Sequence, residues 1–345
     1  MGAGKQGGKY RPLYIAATEE KSGKSAVALG LCLLLRKRGI DAGYFKPVGA
    51  ASAQIDSKVT DADVLQAREA LGLDEDIEDL CPVVLRAELI DRVLRGGRGE
   101  AAAAPIKQKF KKLSAGRDII IVEGFGELAS GAFIGAGCGN VAGRLDAPIM
   151  LIARYGTTNM LDRVVTAGNT LKDGLLGTVF NFVPRGRQEQ VETAYKKFLK
   201  RQGIEVYGTI RSNPKLSAVP VSAIAQQLGA EILCAEAESG RLAQSLLIGA
   251  MNQEHALRYF QRVADKVVIT GGDRADIILA ALETPTAAVV LTGNFMPSPS
   301  VIGRAEELGV PLLLTGMDTL SAAREVQGLF GRFRDLMHRR GGVIL

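Results

Sequence analysis

Three consecutive residues, Gly23, Lys24 and Ser25, carry the most readable chemistry in this chain. They end the segment ATEEKSGKS (17–25), which leaves an apolar run and enters one with helical periodicity. In that setting backbone N–H groups and the positive end of a helix dipole converge on one point, which suits phosphate. Lys24 would reach the β/γ-phosphates, the Ser25 hydroxyl would ligate Mg²⁺, and Gly23 lets the backbone approach without a Cβ. Thr18, Glu20, Lys21 and Ser22 complete the lining of the loop. The strict GxxxxGK[ST] spacing asks for glycine where Thr18 stands, so the strand–turn–helix setting carries the reading more than the tripeptide does.

Other charged residues fit the same place. Glu123 closes the strongest apolar run, DIIIVEG (118–124). A carboxylate ending a buried strand needs a cation, and Mg²⁺ at the loop is the favoured one. Asp61 either N-caps the helix ADVLQAREALG or lends its carboxylate to that metal. Lys46, in YFKPV, either holds an anionic substrate or product or is a solvated strand-end lysine. His255 and His338 are the only histidines, which nearly excludes a His-based triad or a multi-His metal site. Cys32, Cys81, Cys138 and Cys234 form no CxxC pair and read as small buried hydrophobes of a reducing compartment.

These residues need elements to hold them. The chain has 345 residues, 47% hydrophobic and 23% charged, which suits two soluble globular domains. Strand-like runs at 13–18, 42–48, 118–124, 147–154, 177–183 and 204–210 alternate with helical segments such as 24–38 and 159–173. Most are apolar without alternation, as expected of a mostly parallel sheet with helices on both faces. The pattern breaks at IRSNPKLSAVPVS (210–222), a hinge signal. A second α/β unit follows, with strands at 266–270, 287–292 and 310–315 and helices at 274–283 and 299–308. Its strands end in Thr270-Gly271, Thr292-Gly293 and Thr315-Gly316, which a parallel sheet would set side by side at its ligand-binding edge. Tight-turn glycines explain each ending equally well. Gly271, Gly272, Asp273 and Arg274 open a helix and make an anion nest, or else Asp273 N-caps the helix while Arg274 or Asp276 pairs across an interface.

Composition narrows the partners. Lys+Arg exceeds Asp+Glu by 43 to 37, a mild surplus, and aromatics are 5% with no Trp. Neither a nucleic-acid platform nor a membrane anchor is expected, and the cytoplasm is the default location. A helix over 321–340 carries Val326, Leu329, Phe330, Phe333, Leu336 and Met337 at helical spacing, suited to core or dimer packing.

Together, ATEEKSGKS, YFKPVG (44–49), TDADVLQ (60–66) and VEGFGE (122–127) resemble the dethiobiotin synthetase-like branch of P-loop proteins. That branch carries GTxTxxGKT, a KPV strand, an S-D-A helix start and a VEGAGG strand end. The resemblance implies a P-loop domain over 11–215 after a disordered tail at 1–10. It also implies Ser25, Asp61 and Glu123 as Mg²⁺ ligands and Asn181 as a contact to the nucleotide base; Lys24 and Lys46 are the expected catalytic groups, and ATP or GTP the expected nucleotide. Departures are Ala17 at the first loop glycine, and Phe125 and Glu127 where the branch has small residues. The remainder, 216–345, resembles a DRTGG domain through IGAMNQEHALRYF, VVITGGDRADIILAALE and LTGNFMPSPSVIGRAEELGVPLLLT. This resemblance implies a second small regulatory ligand and a homo-oligomer.

The pairing resembles the N-terminal arrangement of long bacterial phosphotransacetylases, whose acetyl-transfer domain would follow beyond Leu345, so acetyl transfer is not expected here. The expected function is regulatory nucleotide·Mg²⁺ binding with slow hydrolysis. The alternative is an ATP-dependent ligase or carboxylase.

Overall fold

The computed structural model describes residues 11–330 apart from 56, 98, 214, 215 and 217. The expected tail at 1–10 and the stretch 331–345, with His338, Phe333, Leu336 and Met337, lie outside the described residues. The chain divides into two compact units between Ser212 and Asn213, inside the 210–222 hinge.

The first unit is built on six parallel strands: β1 (Arg11–Ala17), β2 (Ala42–Phe45), β3 (Ile119–Glu123), β4 (Ile149–Arg154), β5 (Leu175–Val183) and β6 (Val206–Arg211). Their order across the sheet is β6-β5-β4-β1-β3-β2. Tyr14 of β1 pairs with Val122 on one side and Ile149 on the other, which makes β1 central. Tyr14, Ile15, Ala16 and Ala17 are all buried, so both faces of β1 are covered, as the unbroken apolar run requires. In β3, Ile120, Ile121 and Val122 are fully buried; each such side chain contributes about 1.5–3 kcal/mol of transfer free energy.

Helix α1 (Lys24–Lys37) begins directly after Gly23 and packs on β1 through Ala28, Leu29 and Cys32. Arg36 and Lys37 in its last turn complement the helix dipole. The strand expected over 42–48 stops at Phe45. Pro47 has no N–H to donate to a ladder, and the chain leaves the sheet. Residues Val48–Ala50 pair instead with Val83–Leu85 in a separate two-stranded ribbon. Helix α2 (Ala62–Leu71) follows, with Asp61 as its N-cap.

The second unit carries β7 (Glu231–Cys234), β8 (Ser245–Ile248), β9 (Lys266–Gly271), β10 (Thr286–Thr292) and β11 (Leu312–Leu314), in the order β7-β11-β10-β9-β8. β7 is antiparallel to β11 and the remaining pairs are parallel. Its core splits by strand alternation. Val268, Val289 and Leu291 face one cluster with Ile277, Val301 and Ala305, while Val267, Ile269 and Val290 face another with Ile224, Ala322 and Val326.

The three Thr-Gly ends do lie on adjacent strands. Thr270, Thr292 and Thr315 are buried, and their hydroxyls donate to the carbonyls of Gly249, Thr270 and Leu228. Threonine there satisfies strand-end backbone. The last described helix is Thr319–Leu329, which starts two residues before the expected one because Asp318 caps it. Among the described residues no helix is long and apolar enough to cross a membrane.

Candidate phosphate and metal site

The loop between β1 and α1 takes its shape from Gly23, which sits in the left-handed region at φ +85°. A Cβ on Gly23 would strike Nδ2 of Asn181, so only glycine fits both the backbone and the space. Asn181 lies near the end of β5 and is itself buried; its Nδ2 donates to the Ser22 carbonyl at 2.8 Å and its Oδ1 accepts from Phe182 N. The structure thus sets Asn181 against the loop backbone, where its amide is already engaged.

The Ser25 hydroxyl, in the first turn of α1, has two carboxylate acceptors for its one hydrogen, Glu123 Oε1 at 2.8 Å and Asp63 Oδ2 at 3.0 Å. Glu123 reaches this point because β3 neighbours β1 and ends there. Its second oxygen accepts from the Tyr44 hydroxyl of β2 at 2.7 Å. Lys46, one residue past β2, places its ammonium 2.6 Å from Asp63, 2.8 Å from Glu123 and 3.5 Å from Asp61. The side chains of Lys46 and Glu123 are almost wholly buried, at 3% and 1% exposed. The solvated reading of Lys46 is therefore overturned: Pro47 turns the chain so that the ammonium points inward, onto three carboxylates.

Burial alone would lower the Lys46 pKa, but Glu123, Asp63 and Asp61 overcome it and hold the ammonium well above its ordinary range. Burial opposes the charge on Asp63, yet Lys46 and the Ser25 hydroxyl bring its pKa below the ordinary value. Burial pushes the Tyr44 phenol up, and the Glu123 carboxylate adds to the effect. Lys24 donates to the Gly126 carbonyl at 3.3 Å. Its pKa is lowered, first by burial and further by Lys46, with Glu123 pulling the other way. A part-buried ammonium whose hydrogen bond goes to a neutral carbonyl gains from an anion beside it.

Asp61 N-caps the helix, Oδ1 accepting from Asp63 N at 2.9 Å, and its Oδ2 also accepts from Ala50 N at 2.7 Å. Its link to the cluster runs through Lys46. The carboxylate nearer Ser25 is Asp63, which sequence reasoning passed over. The pattern D-A-D held the signal: with Asp61 spent as cap, a second acid in the first turn is free to reach the loop. Tyr44 was also missed, although its place on β2 two residues before Lys46 marks it.

Two further atoms bear on phosphate. The hydroxyls of Thr18 and Ser22 are buried and, among the described residues, have no hydrogen-bond partner. Buried orphans of this kind call for a ligand or water. The donors are all oxygens, which suits Mg²⁺ rather than a softer metal. Among the described residues no three His, Cys, Asp or Glu side chains are disposed to hold an ion alone, because the Lys46 ammonium stands between the acids. Mg²⁺ ordinarily takes one or two protein groups and completes its shell with phosphate and water, so the set fits.

Elsewhere the candidates come apart. Gly272 N donates to the Thr292 carbonyl at 3.3 Å, and a Cβ there would strike the Phe295 carbonyl. Gly272 is explained by close backbone packing, while a Cβ on Gly271 would meet the Asp273 side chain. Asp273 does not cap the following helix (Ala275–Leu282), whose N-cap is Arg274 without a side-chain bond. Arg274 grips Asp276 of its own turn through two 3.0 Å bonds and donates to the Met251 carbonyl, so the pairing is local. His255 is exposed beside its cap Asn252. All four cysteines are buried and unpaired, and burial pushes the Cys32, Cys81 and Cys138 thiols up to about 12. Hollows of about 700 and 970 Å³ are lined at Pro148–Ile149 and at Ile40–Asp41, the starts of β4 and β2. They belong to the sheet edge opposite the loop and hold none of its residues.

Family comparison agrees with this division. An AAA domain model matches residues 11–220 and a DRTGG domain model matches 223–329. A phosphate acetyltransferase of Nitratidesulfovibrio vulgaris is 27% identical over 342 residues, covering 93% of this chain and 47% of that protein. The chain thus spans about half the length of the curated relatives it matches. An ATP-dependent dethiobiotin synthetase of Anaeromyxobacter dehalogenans is 29% identical over 174 residues, covering 50% of this chain and 76% of that protein. The septum site-determining protein MinD of Pyrococcus horikoshii, complexed with Mg-ADP, overlaps loosely, with TM-score 0.39 and 18% identity over 60% of this chain and 84% of that one. The chain belongs to the AAA domain family over residues 11–220, as a dethiobiotin synthetase-like P-loop domain joined to a DRTGG domain.

Proposed function

We propose that the first unit binds a nucleoside triphosphate, ATP or GTP, with Mg²⁺ at the loop 18–25 and hydrolyses it slowly in a regulatory role. The observation that carries this is the contact of Ser25 with Glu123 and Asp63 beside the buried Lys46. The orphan hydroxyls of Thr18 and Ser22 support a phosphate chain in the loop. A tie to acetyl and phosphate metabolism rests on the relatives named as phosphate acetyltransferases.

Bound Mg²⁺ would supply neutralisation of the phosphate oxygens. The chain's own groups do the rest. Lys24 exchanges the Gly126 carbonyl for a phosphate oxygen, which relieves an ammonium that burial disfavours. Ser25 would hold the ion through its hydroxyl oxygen, with Asp63 and Glu123 the carboxylates beside that hydroxyl. Lys46 keeps those two carboxylates from repelling one another. Neither acid is a good general base: both oxygens of Glu123 are engaged, and Lys46 and Ser25 lower the proton affinity of Asp63. Slow turnover follows.

An ATP-dependent ligase is the second reading, favoured by the match to a dethiobiotin synthetase. Against it, Lys46 is saturated by carboxylates and has no capacity left for an anionic second substrate. In the DRTGG unit a second small ligand or self-association would provide the sensing arm. Calorimetric titration of ATP, GTP and ADP with and without Mg²⁺, followed by phosphate-release assays, tests the proposal. Lys24→Ala should abolish binding. Turnover seen only when a carboxylic or amine metabolite is added would instead establish the ligase.

A further inference from the structure

The phosphate loop is fastened from outside by groups that no phosphate would touch. Arg154, the last residue of β4, donates from Nη1 to the Lys21 carbonyl at 2.7 Å. Its guanidinium also lies 4.6 Å from the ring centroid of Phe182. Arg154 pairs in register with Asn181 of β5, which holds the next carbonyl, that of Ser22. Two successive loop carbonyls are thus pulled outward by donors from adjacent strands. In a planar trans peptide the C=O of one residue and the N–H of the next point opposite ways. Pulling the Lys21 and Ser22 carbonyls outward therefore turns the N–H groups of Ser22 and Gly23 inward, where an anion nest needs them.

Two backbone conformations accompany the arrangement. Lys21 sits at φ +56° and Phe182 at φ +59°, in the left-handed region that bulky residues rarely adopt. The ring of Phe182 also lies against Gly23, within about 3.4 Å of where a Cβ would stand. Strain of this kind persists only where the surroundings over-determine it. Here the cation–π stack and the Lys21 bond close a ring of contacts, Arg154–Lys21–Gly23–Phe182, that keeps both residues in place.

We infer that Arg154, stacked on Phe182, is a positioning residue that presets the loop N–H groups for a polyphosphate. This rests on the reading that the loop binds phosphate. Its charge is spent on a carbonyl and a ring, so it acts through the backbone rather than on the ligand.

The test measures affinity for ATP and for inorganic tripolyphosphate in wild type, Arg154→Ala and Phe182→Leu, with thermal melts of each. Loss of a charged-donor bond to the loop predicts about tenfold weaker binding of both ligands in Arg154→Ala. Phe182→Leu removes the stack but no charge, and should weaken both ligands in the same direction and by less. Melting temperatures should stay close to wild type. Loss confined to ATP would make Arg154 a base contact and overturn the inference. Unchanged binding in Phe182→Leu would reduce Arg154 to a nearby charge, and a parallel drop in melting temperature would make its role merely structural; either result also overturns it. If wild type binds neither ligand, the phosphate reading itself fails, whereas wild-type binding matched by both variants sinks the positioning role alone.

Discussion

At the scale of single residues, Lys46 organises the site. Its ammonium is the shared partner of Asp61, Asp63 and Glu123, in a place where only 3% of the side chain is exposed. Lys46→Met would leave Glu123 buried without the ammonium it pairs with. Breaking a buried pair from one side costs about 3–5 kcal/mol, and chemical denaturation should read a loss of that order. The loss should depend on pH with a definite sign. The folded-state pKa of Asp63 lies below its ordinary 3.8, so its stabilisation is present above 3.8 and is lost as pH falls through the depressed value. The gap between wild type and Lys46→Met should therefore narrow in acid; a gap that widens there would contradict the ion-pair account. Residue types alone gave part of this. Glu123 at a buried strand end demanded a cation, and the structure supplies one within the chain itself. Asp63 stayed hidden because its neighbour Asp61 already had a sufficient explanation as a cap, and which of two acids turns to the loop is decided by helix phase.

At the scale of elements, the loop exists because β1 and α1 are joined by a turn that only glycine can complete. Gly23→Ala would place a Cβ in the left-handed region and against Asn181. The backbone term alone is about 1–2 kcal/mol, so the fold should survive while the loop is displaced. Nucleotide titration should then read no binding, with a circular dichroism spectrum like that of wild type. Retained affinity would mean that the loop geometry is not what holds phosphate. Strand positions were legible because unbroken apolar runs mark strands covered on both faces. The exception is instructive: the run 42–48 includes Pro47, and a missing N–H ends β2 at Phe45. That early stop is what frees Lys46 to turn inward. The second unit's Thr-Gly ends were placed correctly along one edge, but sequence gave no means of telling a ligand edge from hydroxyls satisfying backbone carbonyls.

At the scale of the whole molecule, the chain is a P-loop unit followed by a DRTGG unit, each with its own buried hydrophobic residues. The break was visible as a polar, proline-containing stretch, because few contacts need to cross such a segment. The Gly271–Arg274 turn was less legible, since paired glycines serve either an anion or a close backbone approach, and here Gly272 accommodates the Phe295 carbonyl. Arg274 and Asp276 are both more than a third exposed, so Arg274→Ala should shift stability by no more than about 0.5 kcal/mol. ATP affinity in the first unit should be unchanged by it. A large loss of ATP binding in that variant would show a dependence between units that this account does not contain.

The central claim is that Ser25, with Asp63 and Glu123 behind it, shares a magnesium ion with the phosphates of a nucleotide. Measuring ATP affinity against Mg²⁺ concentration in wild type and Ser25→Ala tests it most directly. Mg²⁺ should tighten ATP binding by about tenfold or more in wild type, and that tightening should vanish in Ser25→Ala while metal-free binding persists. An affinity indifferent to Mg²⁺ in wild type, or a metal effect that survives in Ser25→Ala, would contradict the account.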